Sequence, residues 1–112
     1  MKNMRNKVQL IGNLGMEPDV RTLDNGKKMA RFTLATNENY KNAKGEKVTE
    51  TQWHQLVAWG KTAEIIEQYV QKGQEIAVDG KLITRTWNDK EGHKRYSTEV
   101  VISDLLMLAR RN

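Results

Sequence analysis

The sequence predicts a fold made mostly of β-strands, with one helix between the third and fourth of five main strands. Several short runs alternate apolar and polar residues and are separated by turns that contain Gly or Asn. Only one segment, residues 62–72, repeats apolar residues at helical spacing. The 112 residues suit one domain, and 38% hydrophobic with 29% charged residues suit a folded chain.

The first half of the chain is interpreted as two main strands and one short strand. Residues 7–11 form the first strand, and residues 19–23 are expected to form the short one before a turn at Asn25 and Gly26. Residues 29–36 form the second main strand. The polar, lysine-rich residues 37–50 are then predicted to form a long basic hairpin tip.

The second half supplies the helix and the remaining strands. Residues 51–59 form the third strand, and the helix follows over residues 62–72, with Thr62 as N-cap and Gly73 as its left-handed end. Its predicted core stripe is Ile65, Ile66, Tyr69 and Val70. Residues 75–87 form the fourth strand, with Gly80 at a bulge, and residues 96–102 form the fifth, whose apolar run continues towards residue 108.

The order of these elements defines a known architecture. Three strands, a helix and two further strands are the order of the OB-fold, a five-stranded Greek-key barrel with the helix between strands 3 and 4. We expect one such domain over the whole chain, residues 1–112, with its ordered core at about residues 4–108. OB-folds commonly bind oligonucleotides on an exposed face and its hairpin loops.

Alternation along the strands places aromatic and basic side chains on one surface. If Leu56 and Ala58 fill the barrel, then Trp53 and Trp59 face outwards. In the fourth strand Arg85 and Trp87 share the outward side with Lys81, while Ile76, Val78 and Leu82 are expected inside. Aromatic rings stack on any base and cations follow the phosphates, so such a surface would bind a single strand with little sequence preference.

Composition narrows the function classes. The net charge of +5 favours a polyanionic partner. With no cysteine, and with His54 and His93 on different elements, we expect no metal site and no cofactor. The sequence shows neither a phosphate-binding loop nor a pair of carboxylates placed for acid–base catalysis, so we do not expect an enzyme. No apolar run reaches the roughly 18 residues of a membrane span, and no signal peptide is evident, so we expect a cytoplasmic, nucleoid-associated protein.

Five segments together resemble one protein family. Residues 7–21 read KVQLIGNLGMEPDVR, residues 32–36 FTLAT, residues 51–61 TQWHQLVAWGK, residues 79–87 DGKLITRTW and residues 96–101 YSTEVV. In this order and spacing they resemble the bacterial single-stranded DNA-binding protein (SSB) family, from about residue 4 to residue 108. The resemblance implies an OB-fold, commonly a homotetramer, that wraps and protects single-stranded DNA in replication, recombination and repair.

The resemblance also implies roles for particular residues. The base-stacking positions fall on Tyr40, Trp53, Trp59 and Trp87, and tryptophan is common in the family where this chain has Tyr40, which offers less stacking area. The family's DNA path matches five basic residues here: Arg21, Lys61, Lys72, Arg85 and Arg95. The family's subunit contacts fall near Lys7, Leu10 and His54.

The chain departs from the family pattern at its end. Family members typically continue into a flexible linker and an acidic tip that recruits other proteins, whereas this sequence ends in the basic residues 109–112. It is therefore either truncated or a tail-less paralogue, and partners recruited through the tip are not expected. The alternative function is that of a primosome-type OB-fold accessory protein, acting mainly through protein contacts.

Overall fold

The computed structural model describes residues 4–108, and within that range the chain forms six strands and one helix. The basic chain end, residues 109–112, lies outside the described residues. In chain order the elements are β1 (Val8–Leu14), β2 (Asp19–Thr22), β3 (Lys28–Lys41), β4 (Lys47–Trp59), α1 (Gly60–Tyr69), β5 (Glu75–Asn88) and β6 (Lys94–Met107).

Five of the strands close into a barrel. Their order is β1-β5-β6-β4-β3, and β3 returns to β1 at the pair Leu14 and Leu34. All pairs are antiparallel except β4 and β6, which run parallel. β2 adds to the outer edge of β3. The predicted five-stranded barrel, with its helix between the third and fourth barrel strands, is confirmed.

The core lies inside the barrel and under α1. Phe32, Leu34, Leu56 and Ile76 are fully buried strand residues, and Ile66 of α1 packs with them. Alternate strand residues point inwards, so each strand supplies apolar residues at every second position. The helix thereby covers apolar surface that the strands alone would leave in water.

The helix differs from its prediction at both ends. It begins at Gly60, and Trp59 is its N-cap without a side-chain capping bond, so Thr62 is not the N-cap. Gly60 has a φ of +59°, which lets β4 turn directly into the helix. The helix ends at Tyr69, where the N–H of Val70 bonds to the carbonyl of Ile66.

The buried stripe of α1 is also shifted. Ala63, Ile66 and Val70 are buried, at spacings of three and four residues, whereas Ile65 and Tyr69 are exposed. The prediction that all of Ile65, Ile66, Tyr69 and Val70 are core residues was therefore wrong for two of them. The small Ala63 was overlooked because alanine carries a weak hydrophobic signal.

The bulge predicted at Gly80 is confirmed as a register shift between β5 and β6. Leu82 lies on the inward side of β5, opposite the buried Val100, but the prediction that it fills the barrel was wrong, because 47% of this residue is exposed. Val8, the first residue of β1, pairs with Gly80, so β1 does not extend far enough to cover Leu82. Asn6 instead bonds the Leu82 backbone at 2.9 and 3.0 Å.

Beyond the barrel, both antiparallel hairpins continue as two-stranded ribbons. We call residues 37–51 the first arm and residues 84–98 the second arm. The predicted hairpin tip over residues 37–50 is mostly paired strand, and only residues 42–46 form the turn. No residue within either arm is buried. The arms therefore project as ribbons with both sides open to solvent.

Candidate nucleic-acid interface

The register of the strands defines one continuous outer face, opposite the core. Directly paired residues point to the same side of the sheet, so a residue known to face outwards places its partner on the outer face as well. Trp59, Val57 and Trp53 of β4 pair with Met29, Arg31 and Ala35 of β3. Val57 also pairs with Val101 of β6, which joins β5 and β6 to the same face. On that half the face contains Lys81, Ile83, Arg85 and Trp87 of β5 and Arg95, Ser97, Glu99 and Val101 of β6.

Three tryptophans stand on this outer face with much of their surface in water. The exposed fractions are 60% for Trp53, 38% for Trp59 and 47% for Trp87. In β4, Leu56 and Ala58 point to the opposite side from Trp53 and Trp59 and are buried. Large aromatic rings held in strands but open to solvent are suited to stacking against flat partners.

Trp53 lies against the backbone of Gly15. A Cβ atom placed on Gly15 would come within 2.3 Å of the Trp53 ring atom Cζ3 and 3.0 Å of the Thr33 Oγ1. Any larger residue would therefore push the indole away. Gly15 gives the ring a flat support and restricts its orientation, although its outward side remains open.

One cation lies over the ring of Trp59, and two others belong to neighbouring elements. The Nζ of Lys27 lies 5.4 Å from the centre of its ring, within the range of a cation–π contact. Arg21 of β2 pairs with Met29, which in turn pairs with Trp59, so Arg21 lies on the same face. Lys61 follows in the first turn of α1 and is exposed.

The second arm presents Trp87 opposite Arg95. The Nε of Arg95 lies 2.9 Å from Asp89 Oδ2. The backbone N–H of His93 and the Arg95 side chain lower the pKa of Asp89 below its ordinary value of 3.8. The ionised carboxylate therefore orders both the turn of this arm and the guanidinium beside Trp87.

Two predicted contact residues are not brought onto the outer face. Tyr40 pairs with Val48 in an unbroken register, so it lies on the opposite side of the first arm from Trp53. It is 45% exposed, and its hydroxyl donates a 3.4 Å hydrogen bond to Glu50. Lys72 follows α1 in a turn, where its backbone N–H bonds to Glu17 at 3.2 Å.

The candidate subunit-contact residues also lie away from the outer face. Lys7 forms a 3.3 Å ion pair with Asp79, and Leu10 packs against the core. The His54 Nε2 lies 3.0 Å from the Thr36 hydroxyl, in a half-buried position on the inward side of β4.

Comparison with known proteins agrees with this geometry. A sequence model of the single-strand binding protein family matches residues 5–108. The chain belongs to the single-strand binding protein family. Single-stranded DNA-binding protein 1 of Chlorobaculum tepidum is 45% identical over 108 residues, which are 96% of this chain and 67% of that protein.

Two solved structures of the same family share the fold. The Plasmodium falciparum SSB in complex with ssDNA superposes with a TM-score of 0.87 at 35% identity, covering 97% of this chain and 99% of that one. A deletion mutant of the single-stranded DNA-binding protein from Thermus aquaticus gives a TM-score of 0.82 at 30% identity, covering 95% of this chain and 51% of that one. The OB-fold prediction is thus confirmed.

Sequence reasoning missed the centre of the outer face. Glu99 is buried there between Arg31 and Arg85. The sequence carried a signal for Glu99, because a single charged residue directly before two valines is unusual inside a strand. Its partners were not visible, because Arg31 reaches Glu99 from β3, across β4.

Two further observations concern the described residues as a whole. Within residues 4–108, no helix is long and apolar enough to cross a bilayer. The same residues contain no group of three or more His, Cys, Asp or Glu side chains placed to hold a metal ion.

Proposed function

We propose that this chain binds single-stranded DNA through its outer face, without sequence preference, and thereby wraps and protects it in replication, recombination and repair. The observation that carries the proposal is the set of three solvent-exposed tryptophans on one continuous face with Arg21, Arg85 and Arg95. Stacking on these rings suits any base, and the cations suit the phosphates between them.

The proposed binding residues follow from exposure and position. Trp53, Trp59 and Trp87 stack on bases. Tyr40 stacks on a further base from the far side of the first arm, as the DNA passes around that arm. The cationic path consists of Arg21, Lys61, Lys72, Arg85 and Arg95. The chain acts by binding and not by catalysis, as one domain over residues 1–112 with its ordered core at about residues 4–108. Because its proposed partner is DNA, we place the protein in the cytoplasm, associated with the nucleoid.

We further propose that the chain assembles as a homo-oligomer, with a tetramer as the expected state. Ile11 of β1 and Leu106 of β6 are 60% and 63% exposed, and both border an apolar hollow shared with β5. Apolar surface of this kind favours association. Lys7, Leu10 and His54 are the proposed contact residues. The mass measured by light scattering tests this, and a monomeric mass would contradict it.

A fluorescence titration tests DNA binding. We expect oligo-dT to quench the intrinsic tryptophan fluorescence strongly, because the stacked bases cover the indoles. A duplex of equal length should quench weakly, since its base faces are already stacked. An oligo-rU of equal length measures the preference for DNA over RNA. An absence of quenching by oligo-dT, or equal affinity for duplex, would contradict the proposal.

The ionic strength of the titration provides a second readout. Each phosphate neutralised by a cation on a single strand contributes a slope of about −0.7 in log affinity against log salt. With several cations on the face, we expect a slope steeper than that of one phosphate. Affinity that does not change with salt would exclude the proposed role of the arginines and lysines.

A further inference from the structure

Glu99 is a buried carboxylate in the middle of a face proposed to bind a polyanion. Only 6% of its side chain is exposed. It lies in the same row of β6 as Val101 and directly opposite Ile83 of β5. Burying a charge is costly unless it is paired, and a negative charge at this position repels phosphate. Its presence on this face therefore requires a reason beyond packing.

Two arginines hold Glu99 in unequal ways. Arg31 reaches across β4 and donates a hydrogen bond from Nη1 to the Glu99 Oε2. This path takes it past Val57, its pairing partner, which is consistent with the 2% exposure of that valine. Arg85 approaches from β5 with its Nε 3.0 Å from the Glu99 Oε1.

The contact from Arg85 is the weaker of the two. Within the described residues, Glu99 Oε1 accepts no hydrogen bond, so Arg85 is near it as a charge and is not aligned as a donor. The Arg85 side chain is also 53% exposed, compared with 32% for Arg31. Arg85 can therefore leave the carboxylate at small cost, and Arg31 then still neutralises Glu99.

We propose that Glu99 competes with DNA phosphate for Arg85. In the free protein Glu99 holds Arg85 beside it, and on binding a phosphate takes its place while Arg31 remains on the carboxylate. Glu99 is thus a positioning residue that lowers affinity and keeps a bound strand exchangeable. This inference rests on the proposed DNA-binding face.

Glu99→Gln tests the competition directly. The amide retains the shape of the side chain but removes the negative charge, so Arg85 is free to meet a phosphate. We expect oligo-dT to bind about fivefold more tightly at about 0.1 M salt, because a unit charge next to a phosphate is removed. The salt slope should stay unchanged, because Arg85 neutralises a phosphate in both complexes. Unchanged or weaker binding, or a slope steeper by about 0.7, would overturn the proposal.

A double-mutant cycle separates competition from a purely structural effect. Arg85→Gln should weaken binding more in the Glu99→Gln background than in the original protein, because only the original Arg85 must first leave a carboxylate. Equal, non-zero losses in both backgrounds would overturn the competition and leave Arg85 as a DNA contact. No loss in either background would instead contradict the placement of Arg85 on the DNA path.

One control completes the test. Glu75→Gln removes the same charge ten residues from Arg85 along β5, about 30 Å away, which exceeds the Debye length of about 10 Å at 0.1 M salt. It should leave affinity and slope unchanged, and an equal gain from it would overturn the local role of Glu99.

A measurement on the unmodified protein keeps the proposal testable if Glu99→Gln does not fold. The Nε–Hε resonance of Arg85 can be followed by NMR in ¹⁵N-labelled protein and assigned with Arg85→Gln. It should move on addition of oligo-dT, because Arg85 Nε exchanges Glu99 for phosphate. A resonance that stays in place at saturation would overturn the proposal.

Discussion

The barrel and the two arms are held together by different forces. In the barrel, apolar residues of β1, β3–β6 and α1 pack in a closed interior. The arms have no buried residue and depend on polar contacts, such as the hydrogen bond from Thr49 to Asn39 at 2.7 Å and from Thr51 to Asn37 at 2.6 Å. Stability therefore resides in the barrel, and side chains in the arms can serve binding.

The two arms also share one turn design with different chemistry. In the first arm the side-chain oxygen of Asn42 accepts hydrogen bonds from the backbone N–H of Lys44 and Glu46. In the second arm Asp89 accepts the equivalent bonds from Glu91 and His93. The geometry is the same, but only Asp89 carries a charge. The arms can therefore be distinguished by pH.

The largest expected effect tests whether stability resides in the barrel. Phe32→Ala empties a position that is 2% exposed in the core and should cost about 3–5 kcal/mol in the free energy of unfolding. Tyr40→Ala, in the first arm, is the matched control and should cost less than about 1 kcal/mol. Urea unfolding followed by circular dichroism measures both. Similar losses at the two positions would refute the division between barrel and arms.

Trp87→Ala tests whether a side chain in the second arm serves DNA binding without contributing to stability. Losing the ring should weaken oligo-dT binding by about 1–3 kcal/mol. The free energy of unfolding should change by no more than about 0.5 kcal/mol, because Trp87 supports no buried residue. Trp87→Phe keeps a stacking ring and should recover part of the affinity. Trp53→Ala, near the barrel, should lose similar affinity; unfolding by either substitution would show that the ring belongs to the core.

Gly15→Ala tests whether the barrel positions a binding residue. The added methyl group must displace the Trp53 ring, so we expect a cost of about 1–3 kcal/mol in stability together with weaker binding of oligo-dT. Both losses should shrink in the Trp53→Ala background, where no ring is left to displace. Losses of the same size in both backgrounds would show that Gly15 acts independently of Trp53.

The smallest effect distinguishes the turns of the two arms. The pKa of Asp89 is lowered in the folded chain, so its stabilising contribution is complete above 3.8 and is lost as the pH falls through the lower folded value. Between about pH 5 and 2, the amide resonance of His93 should shift as Asp89 is protonated. The amide of Lys44, bonded to Asn42, should not follow that titration. Asp89→Asn should abolish the shift at His93, and its persistence there would point to another titrating group.

Much of the fold could be predicted because local patterns and topology agree. Strand alternation and turn residues located every barrel strand. The errors occur where a residue depends on another element: Leu82 is exposed because β1 stops short of it, and α1 starts early because Gly60 turns the chain. The first arm was predicted as a hairpin tip and not as paired strand, because polar residues on both sides of a ribbon leave no alternation in hydrophobicity.

The candidate site was predictable in its aromatics and not in its ion pairs. Alternation alone places Trp53 and Trp59 on the opposite side of β4 from Leu56 and Ala58. The same alternation, continued along the whole of β3, places Tyr40 on the opposite side of the sheet from Trp53 and Trp59. The contact between Arg31 and Glu99 joins strands that are distant in sequence and not adjacent in the sheet. Such a pair is visible only when the barrel has been assembled.

The seam between β4 and β6 has a consequence for the order of folding. These strands are the one parallel pair in the barrel, and they meet at only two residue pairs, Leu56 with Val100 and Val57 with Val101. Local hairpins can form early, but this seam must wait for β6, and loop-closure entropy makes such non-local pairing slow. On the ribosome, the barrel can close only after β6 has emerged. Until then the apolar edge of β4 is open to chaperones or to a neighbouring nascent chain.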